Sequence, residues 1–263
     1  MPSFRLLRQF EDPERVGLLR YRGSIDPTWL PHFPGDGLHD RFARALARRR
    51  AVPFKEVLES FEFFARVRKH VRTAELVDLC AGHGLVGVLF ALFERRVERV
   101  LLVDRVSPGS RDAVLEAAIE VGPWVEPKLR QERRNLRRSP LRAEPGSAVV
   151  AVHACGTLSD LALEVALESR GPVALLPCCR PHRRSPAPPA VARAVGADVA
   201  WDIDRTYRLE REGYHVRWDA VPEVITPMNR VIVGYPRAEE RSAQASPSEG
   251  QRAGTSSLGG VSA

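Results

Sequence analysis

The sequence predicts an α/β fold built on a mostly parallel sheet, and three observations carry that expectation. The stretch Glu75 to Gly87, ELVDLCAGHGLVG, runs from an apolar pair through Asp78 into small residues and on to Leu85 to Phe93, an apolar segment that reads as a helix. A buried strand, a tight glycine turn and a helix N-terminus in that order make a cradle for a nucleotide or cofactor, because glycines let a ligand approach backbone N–H groups. Second, Val97 to Val103 (VERVLLV) reads as the next strand and ends in Asp104, an acid suited to hold ribose hydroxyls at its tip. Third, Ala148 to Val152 and Val173 to Leu176 are short continuous apolar runs, the pattern of parallel strands buried on both faces.

The other elements follow from spacing and punctuation. Residues 1 to 38 hold Pro13, Pro27, Pro31 and Pro34 with Phe10, Tyr21, Trp29 and Phe33 interleaved, and are expected to wrap the surface as irregular structure. Asp40 to Arg50 and Phe54 to Val71 show helical spacing, with Phe42, Ala45 and Leu46 in the first and Val57, Leu58, Phe61, Phe64 and Ala65 in the second. These helices either cover the ligand cradle or present Arg44, Arg48, Arg66 and Arg68 to RNA, or are ordinary amphipathic helices with solvated arginines. Ser107 to Gly109 is expected to cap a helix Ser110 to Val121. Pro123 and Pro127 break the chain before Lys128 to Glu132, a poor strand by composition and the third by order. Thr157 and Asp160 form a capping-box variant at the start of a helix Leu158 to Leu167, which gives Asp160 a structural explanation. Beyond Pro177, the expectation is a Pro/Arg loop Arg180 to Pro189, helices Ala190 to Val195 and Asp204 to Gly213, and strands Tyr214 to Val221 and Val231 to Tyr235. The tail is Ser, Ala, Gly, Glu and Arg without apolar periodicity and is expected to be disordered. The resulting division is 1–72, an N-terminal irregular and helical extension; 73–236, the α/β domain; and 237–263, the tail.

Composition bounds the function. At 263 residues and 44% hydrophobic, the chain can form one α/β domain with an extension or two small domains. No apolar run approaches the roughly 20 residues that span a bilayer. MPSFRLLRQFEDPER also lacks the apolar core of a signal peptide, so no membrane partner and cytoplasmic residence are expected. Cys80, Cys155, Cys178 and Cys179 fit a reducing compartment, two of them being adjacent. The net charge of +7 favours a polyanionic partner. Lys55, Lys69 and Lys128 are the only lysines; the arginines concentrate at Arg41 to Arg50, Arg66 to Arg72 and Arg130 to Arg138. The last group, Arg130, Arg133, Arg134, Arg137 and Arg138, is an RNA-contact candidate or a solvated loop.

Asp78, Cys80, Asp104, His153, Cys155, Cys178 and Cys179 all fall at or just beyond the carboxyl ends of the expected parallel strands, the edge along which open α/β sheets bind ligands. DLCAGHG followed by LLVDR resembles motif I and the acidic strand-two tip of class I S-adenosylmethionine-dependent methyltransferases, with Cys80 where the common form has its first glycine. HACGTLSDLAL (His153 to Leu163) and LLPCCRPH (Leu175 to His182) resemble a subgroup that includes the eukaryotic tRNA acceptor-stem 2'-O-methyltransferase and the methyltransferase-like domain of glutathione S-transferase C-terminal-domain-containing proteins. The resemblance spans roughly Glu75 to Pro236. It implies a Rossmann-like, seven-stranded methyltransferase sheet closed by an antiparallel hairpin. It also implies S-adenosyl-L-methionine bound by Asp78, Cys80, Ala81, Gly82, Gly84, Asp104, Arg105 and His153, with Glu132 or Asn135 on the adenine, and RNA, preferably tRNA, as substrate.

Three chemistries compete for the strand-edge residues. In the first, the cofactor lies over Gly82 and Gly84 and His153 deprotonates or positions an acceptor hydroxyl, with Cys155 and Asp160 nearby. In the second, Cys178 or Cys179 adds to a pyrimidine ring, with Arg180, His182 and Arg183 lowering a thiol pKa. In the third, Cys155, Cys178, Cys179 and His182 bind zinc, although an adjacent pair makes awkward geometry. No metal is expected on balance. A non-catalytic cofactor- or RNA-binding module is separated from an enzyme by turnover. A protein or small-molecule acceptor is separated from RNA by whether the arginines form one patch beside the strand edge.

Overall fold

The computed structural model describes residues 3–177 and 187–237. Three short 3₁₀ turns, Arg8–Glu11, Val16–Arg20 and Pro27–His32, lead into α1 (Leu38–Arg49) and α2 (Phe54–Val71). The alternating part then runs β1 (Glu75–Leu79), α3 (Leu85–Phe93), β2 (Arg99–Asp104), α4 (Ser110–Val121), β3 (Leu129–Arg133), β4 (Ala148–Val152), α5 (Leu158–Ser169) and β5 (Val173–Leu176). It closes with α6 (Pro189–Val195), α7 (Ala197–Arg211) and the antiparallel pair β6 (Tyr214–Ala220) and β7 (Arg230–Pro236).

The sheet has seven strands in the order β3-β2-β1-β4-β5-β7-β6. β1 to β5 pair in parallel, and β7 joins antiparallel to β5. The chain reverses its direction of travel across the sheet at the β1/β4 boundary, which places a crevice outside the carboxyl ends of those two strands. Alternate side chains feed two cores. Leu76, Val100, Leu102, Val150 and Ala174 pack under α1 to α4, while Val77, Leu79, Val103, Val149 and Leu175 pack against α5 and α7. Both faces of the sheet are therefore covered, as the continuous apolar runs require.

Three sequence expectations are corrected. The first 38 residues are irregular, but they do not simply wrap the surface: Leu7, Phe10, Ile25 and Phe33 are fully buried. The Trp29 ring stacks on Phe54 with centroids 3.7 Å apart, and Phe10 meets the same ring edge-on at 5.5 Å. The segment is drawn inward because the aromatic face of α2 would otherwise stand in water. Second, Arg44, Arg48, Arg66 and Arg68 are spent internally. Arg44 donates to the Phe33 and Gly35 carbonyls, Arg48 to Glu120, and Arg68 to Glu94. Arg66 is buried against Glu62. Third, α7 begins at Ala197, before the expected Asp204. α4 has the expected span, with Gly109 of the expected capping segment at its N-cap and no side-chain cap bond. The expected Pro/Arg loop and tail lie largely outside the described residues, as do Cys178, Cys179 and His182.

Candidate active site

The turn after β1 is built from left-handed backbone. Cys80, Gly82 and Gly84 have φ of +60°, +50° and +77°. Glycine takes such values freely, whereas a side chain there costs of order 1 kcal/mol, so Cys80 is a strained stand-in for the glycine of the resembled motif. A Cβ added at Gly82 would meet nothing within 4 Å, which leaves the backbone of this residue open to a ligand. Gly84 serves differently: its Cβ would lie 2.9 Å from Leu102 Cδ1, so this glycine is required for β2–α3 packing.

The turn is tied down from three sides. Asp104 Oδ2 accepts the Gly82 amide at 2.9 Å. Buried Arg111 donates through Nε and Nη2 to the Gly82 carbonyl, at 2.9 and 2.6 Å. Asp78, also buried, accepts the Gly87 amide at 2.8 Å in the first turn of α3. Burial pushes the Asp78 carboxyl up to about 7, against the opposing pull of the Gly87 amide and the Arg111 charge. Burial, with Asp104 and Asp78 adding to it, pushes the Cys80 thiol up to about 12, which makes it a neutral, unreactive group.

Around this turn lies a cavity of about 640 Å³, the size range of a cofactor site. Of the candidate residues read from the sequence, Asp78, Cys80, Ala81, Gly82, Asp104, Arg105, Asn135, His153 and Cys155 line it. Its inner wall is acidic and includes Glu56 of α2, while Arg105, Arg134 and Arg137 stand along the β2 and β3 side. An open glycine backbone, an acid at the tip of β2 and carboxylates facing the interior suit a cationic adenosyl ligand with a free diol. The donor set fits S-adenosylmethionine.

Three expected residues stand elsewhere. Gly84 is packed beneath the turn, as described. Glu132 does not line the cavity; it is bonded to Arg134, which does. Asp160 makes no capping box, since Thr157 contributes no side-chain cap bond; it turns to buried Arg205 instead, at 2.8 Å. Of the two adenine candidates, Asn135 is the one at the cavity.

α2 stands against the cradle, one of the placements left open by the sequence, but the side chains it brings there were not foreseen. His153 Nε2 lies 2.8 Å from Glu59 Oε2, and Glu59 Oε1 accepts from Lys55 Nζ at 2.7 Å. His83 Nδ1 meets Ser110 Oγ, and its Nε2 lies 3.2 Å from Glu56 Oε2. The signal was present in LESFEFF, where Glu59 and Glu62 stand among Leu58, Phe61, Phe63 and Phe64; both are fully buried. Charges in that setting need partners.

A model of a methyltransferase-domain family matches residues 53–184, a span that begins at α2. No curated protein matches the chain. Among solved structures, the methyltransferase domain of bacterial CtHen1-C is similar at 16% identity, over 70% of this chain and 100% of that one, with a TM-score of 0.44. Magnesium protoporphyrin IX methyltransferase from Synechocystis PCC 6803 is similar at 12% identity over 79% and 92%, TM-score 0.42. The m1A22 tRNA methyltransferase TrmK of B. subtilis is similar at 11% identity over 70% and 69%, TM-score 0.43. These likenesses are of fold alone.

Proposed function

Because the chain belongs to this methyltransferase-domain family, whose class I fold takes S-adenosylmethionine, we propose that it is an active methyltransferase with RNA, preferably tRNA, as its acceptor. The observation that carries the enzymatic reading is the single cavity wall shared by Gly82, Asp104, His153 and Cys155. Cofactor cradle and candidate proton acceptor thus face one space, and catalysis is chiefly a matter of alignment there. When bound, the cofactor supplies a methyl carbon made electrophilic by its sulfonium.

The chain's own residues have distinct parts. Asp104 holds the ribose diol while keeping the Gly82 amide in place. The Gly82 backbone admits the ligand, Asp78 and Glu56 face its cationic end, and Asn135 meets the adenine. Arg134 and Arg137 screen the anionic wall from the β3 side. His153 stands where the acceptor enters and takes its proton. The neutral, poorly acidic thiol of Cys80 has no nucleophilic part. The alternative with Cys178 or Cys179 as nucleophile, and the zinc site with His182, turn on residues outside the described ones.

RNA is favoured by β3 and the segment after it. Arg130, Arg133, Arg137 and Arg138 are exposed, and Arg137 reaches the cavity itself. This patch is narrower than the sequence promised, because the arginines of α1 and α2 described above are internally bonded. Incubating the full chain with labelled S-adenosylmethionine and bulk tRNA tests the proposal. Labelled tRNA together with S-adenosylhomocysteine is expected. Cofactor binding without turnover on any RNA would favour a protein or small-molecule acceptor, or a binding module.

A further inference from the structure

Resting on the methyl-transfer reading, we infer that Glu59 is the positioning residue of this site: its carboxylate, clamped by Lys55, fixes the His153 imidazole with its hydrogen on Nε2 and leaves Nδ1 as the proton acceptor. Glu59 has no exposed surface, yet both carboxylate oxygens are occupied, Oε1 by Lys55 Nζ at 2.7 Å and Oε2 by His153 Nε2 at 2.8 Å. A buried carboxylate is retained only where such partners offset its lost hydration. Burial works to raise the Glu59 carboxyl, but the hydrogen bonds from His153 and Lys55, with the charge each carries when protonated, outweigh it and hold the group below its ordinary range. Ionised, it can only accept, so the nitrogen facing it is the one that carries hydrogen.

The backbone supports the same assignment. His153 has φ of +58°, rare for a residue with a side chain, and strain of this kind persists where surrounding bonds over-determine it. Here its amide donates to the Leu176 carbonyl at 3.2 Å while the ring is pinned by Glu59. The side chain is about one-third exposed, at the cavity wall beside Val152 and Cys155. As the acceptor atom bonds to the methyl carbon, the electron pair of the broken carbon–sulfur bond stays on sulfur and the acceptor's proton passes to His153 Nδ1. Glu59 then faces the imidazolium, and solvent removes the proton after product leaves.

Nitrogen-15 spectra of the histidine rings in the full chain test the assignment without any acceptor, because they report which ring nitrogen carries hydrogen. His153→Asn identifies the signal. In the wild type the neutral ring is expected to be hydrogenated at Nε2; in Glu59→Gln, whose amide can donate as well as accept, the two tautomers become mixed. With tRNA as acceptor, kcat is expected to fall about tenfold to a hundredfold in Glu59→Gln, while KM and the cofactor Kd change less than about twofold. Should Glu59→Gln fail to fold, Glu59→Asp, which withdraws the carboxylate by one methylene, is expected to give the same mixing and loss. A ring that keeps its tautomer in these variants, or a loss confined to cofactor Kd, would overturn the assignment. A wild type that forms no S-adenosylhomocysteine would overturn the methyl-transfer reading instead, and the spectra would still decide whether Glu59 fixes the ring.

Discussion

The Asp104 carboxylate accepts the Gly82 amide at 2.9 Å through Oδ2 and the Val106 amide at 3.1 Å through Oδ1, so the tip of β2 and the turn after β1 are a single unit. Each oxygen has a further acceptor position for a ribose hydroxyl. Asp104→Ala is therefore expected to weaken S-adenosylmethionine binding about tenfold to a hundredfold, the loss of charge-assisted hydrogen bonds worth about 1.5 to 3 kcal/mol. Gly82→Arg, which fills the open space at that residue, is expected to abolish binding. Calorimetry on folded variants measures both, and an unchanged Kd in either would remove the cradle from the argument.

Asp78 makes stability depend on pH. Its folded value of about 7 stands above the ordinary 3.8, so the native state binds this proton more tightly than the unfolded chain. The contribution is fully present below the unfolded value and is lost as pH rises through about 7; it amounts to a few kcal/mol at most. Without ligand, Asp78→Asn is expected to flatten the fall in Tm between about pH 4 and pH 7. A slope equal to that of the wild type would show that Asp78 is already ionised in the fold.

Arg205 is the hub of a buried ionic group outside the cavity. It donates to Asp160 and Asp202 at 2.8 and 2.9 Å, and Asp202 in turn accepts from Arg230 at 2.7 Å. Arg205→Met removes the close partner of Asp160 and one of the two partners of Asp202, and is expected to cost about 3 kcal/mol in urea unfolding. The paired change Arg205→Met with Asp160→Leu is expected to recover part of that loss. A cost below about 1 kcal/mol for the single variant would mean that water already screens the group.

Phosphate contacts have a signature in salt. Alanine at Arg133, Arg137 or Arg138 is expected to weaken tRNA binding across sequences and to reduce the slope of log K against log salt by about one each. Arg48→Ala, whose guanidinium is bonded to Glu120, is expected to change neither. Equal effects at Arg48 and Arg137 would mean that the whole cationic surface acts without a preferred face.

What was legible in the sequence follows from what each residue answers to. β1, β4, β5 and α2 stand where spacing placed them, because apolar runs and helical periodicity are local records of burial. Asp104, Gly82 and His153 were legible because strand ends are, and parallel strands deliver their ends to one edge. Glu59 and Arg111 were not: the apolar neighbours of Glu59 mark it as buried but do not name its partner, and Arg111, in the first turn of α4, carries no local mark of the Gly82 carbonyl it meets. Asp160 misled for the converse reason, since a cap three residues after Thr157 is a local solution and the remote partner Arg205 prevailed.

Arg66 of α2 donates to the carbonyls of Ser3 and Ala220, the latter 154 residues away, and Arg5 meets Asp219 across 214. The helix that supplies Glu56 and Ser60 to the cavity, and Glu59 behind His153, is thus anchored by β6, the strand that opens the hairpin. During synthesis the glycine turn and its strands emerge well before this wall can be locked, so a nascent chain has the parts of a cradle without a finished chamber. The bonds from Arg66 to the Ala220 carbonyl and from Arg5 to Asp219 can form only once β6 has been made.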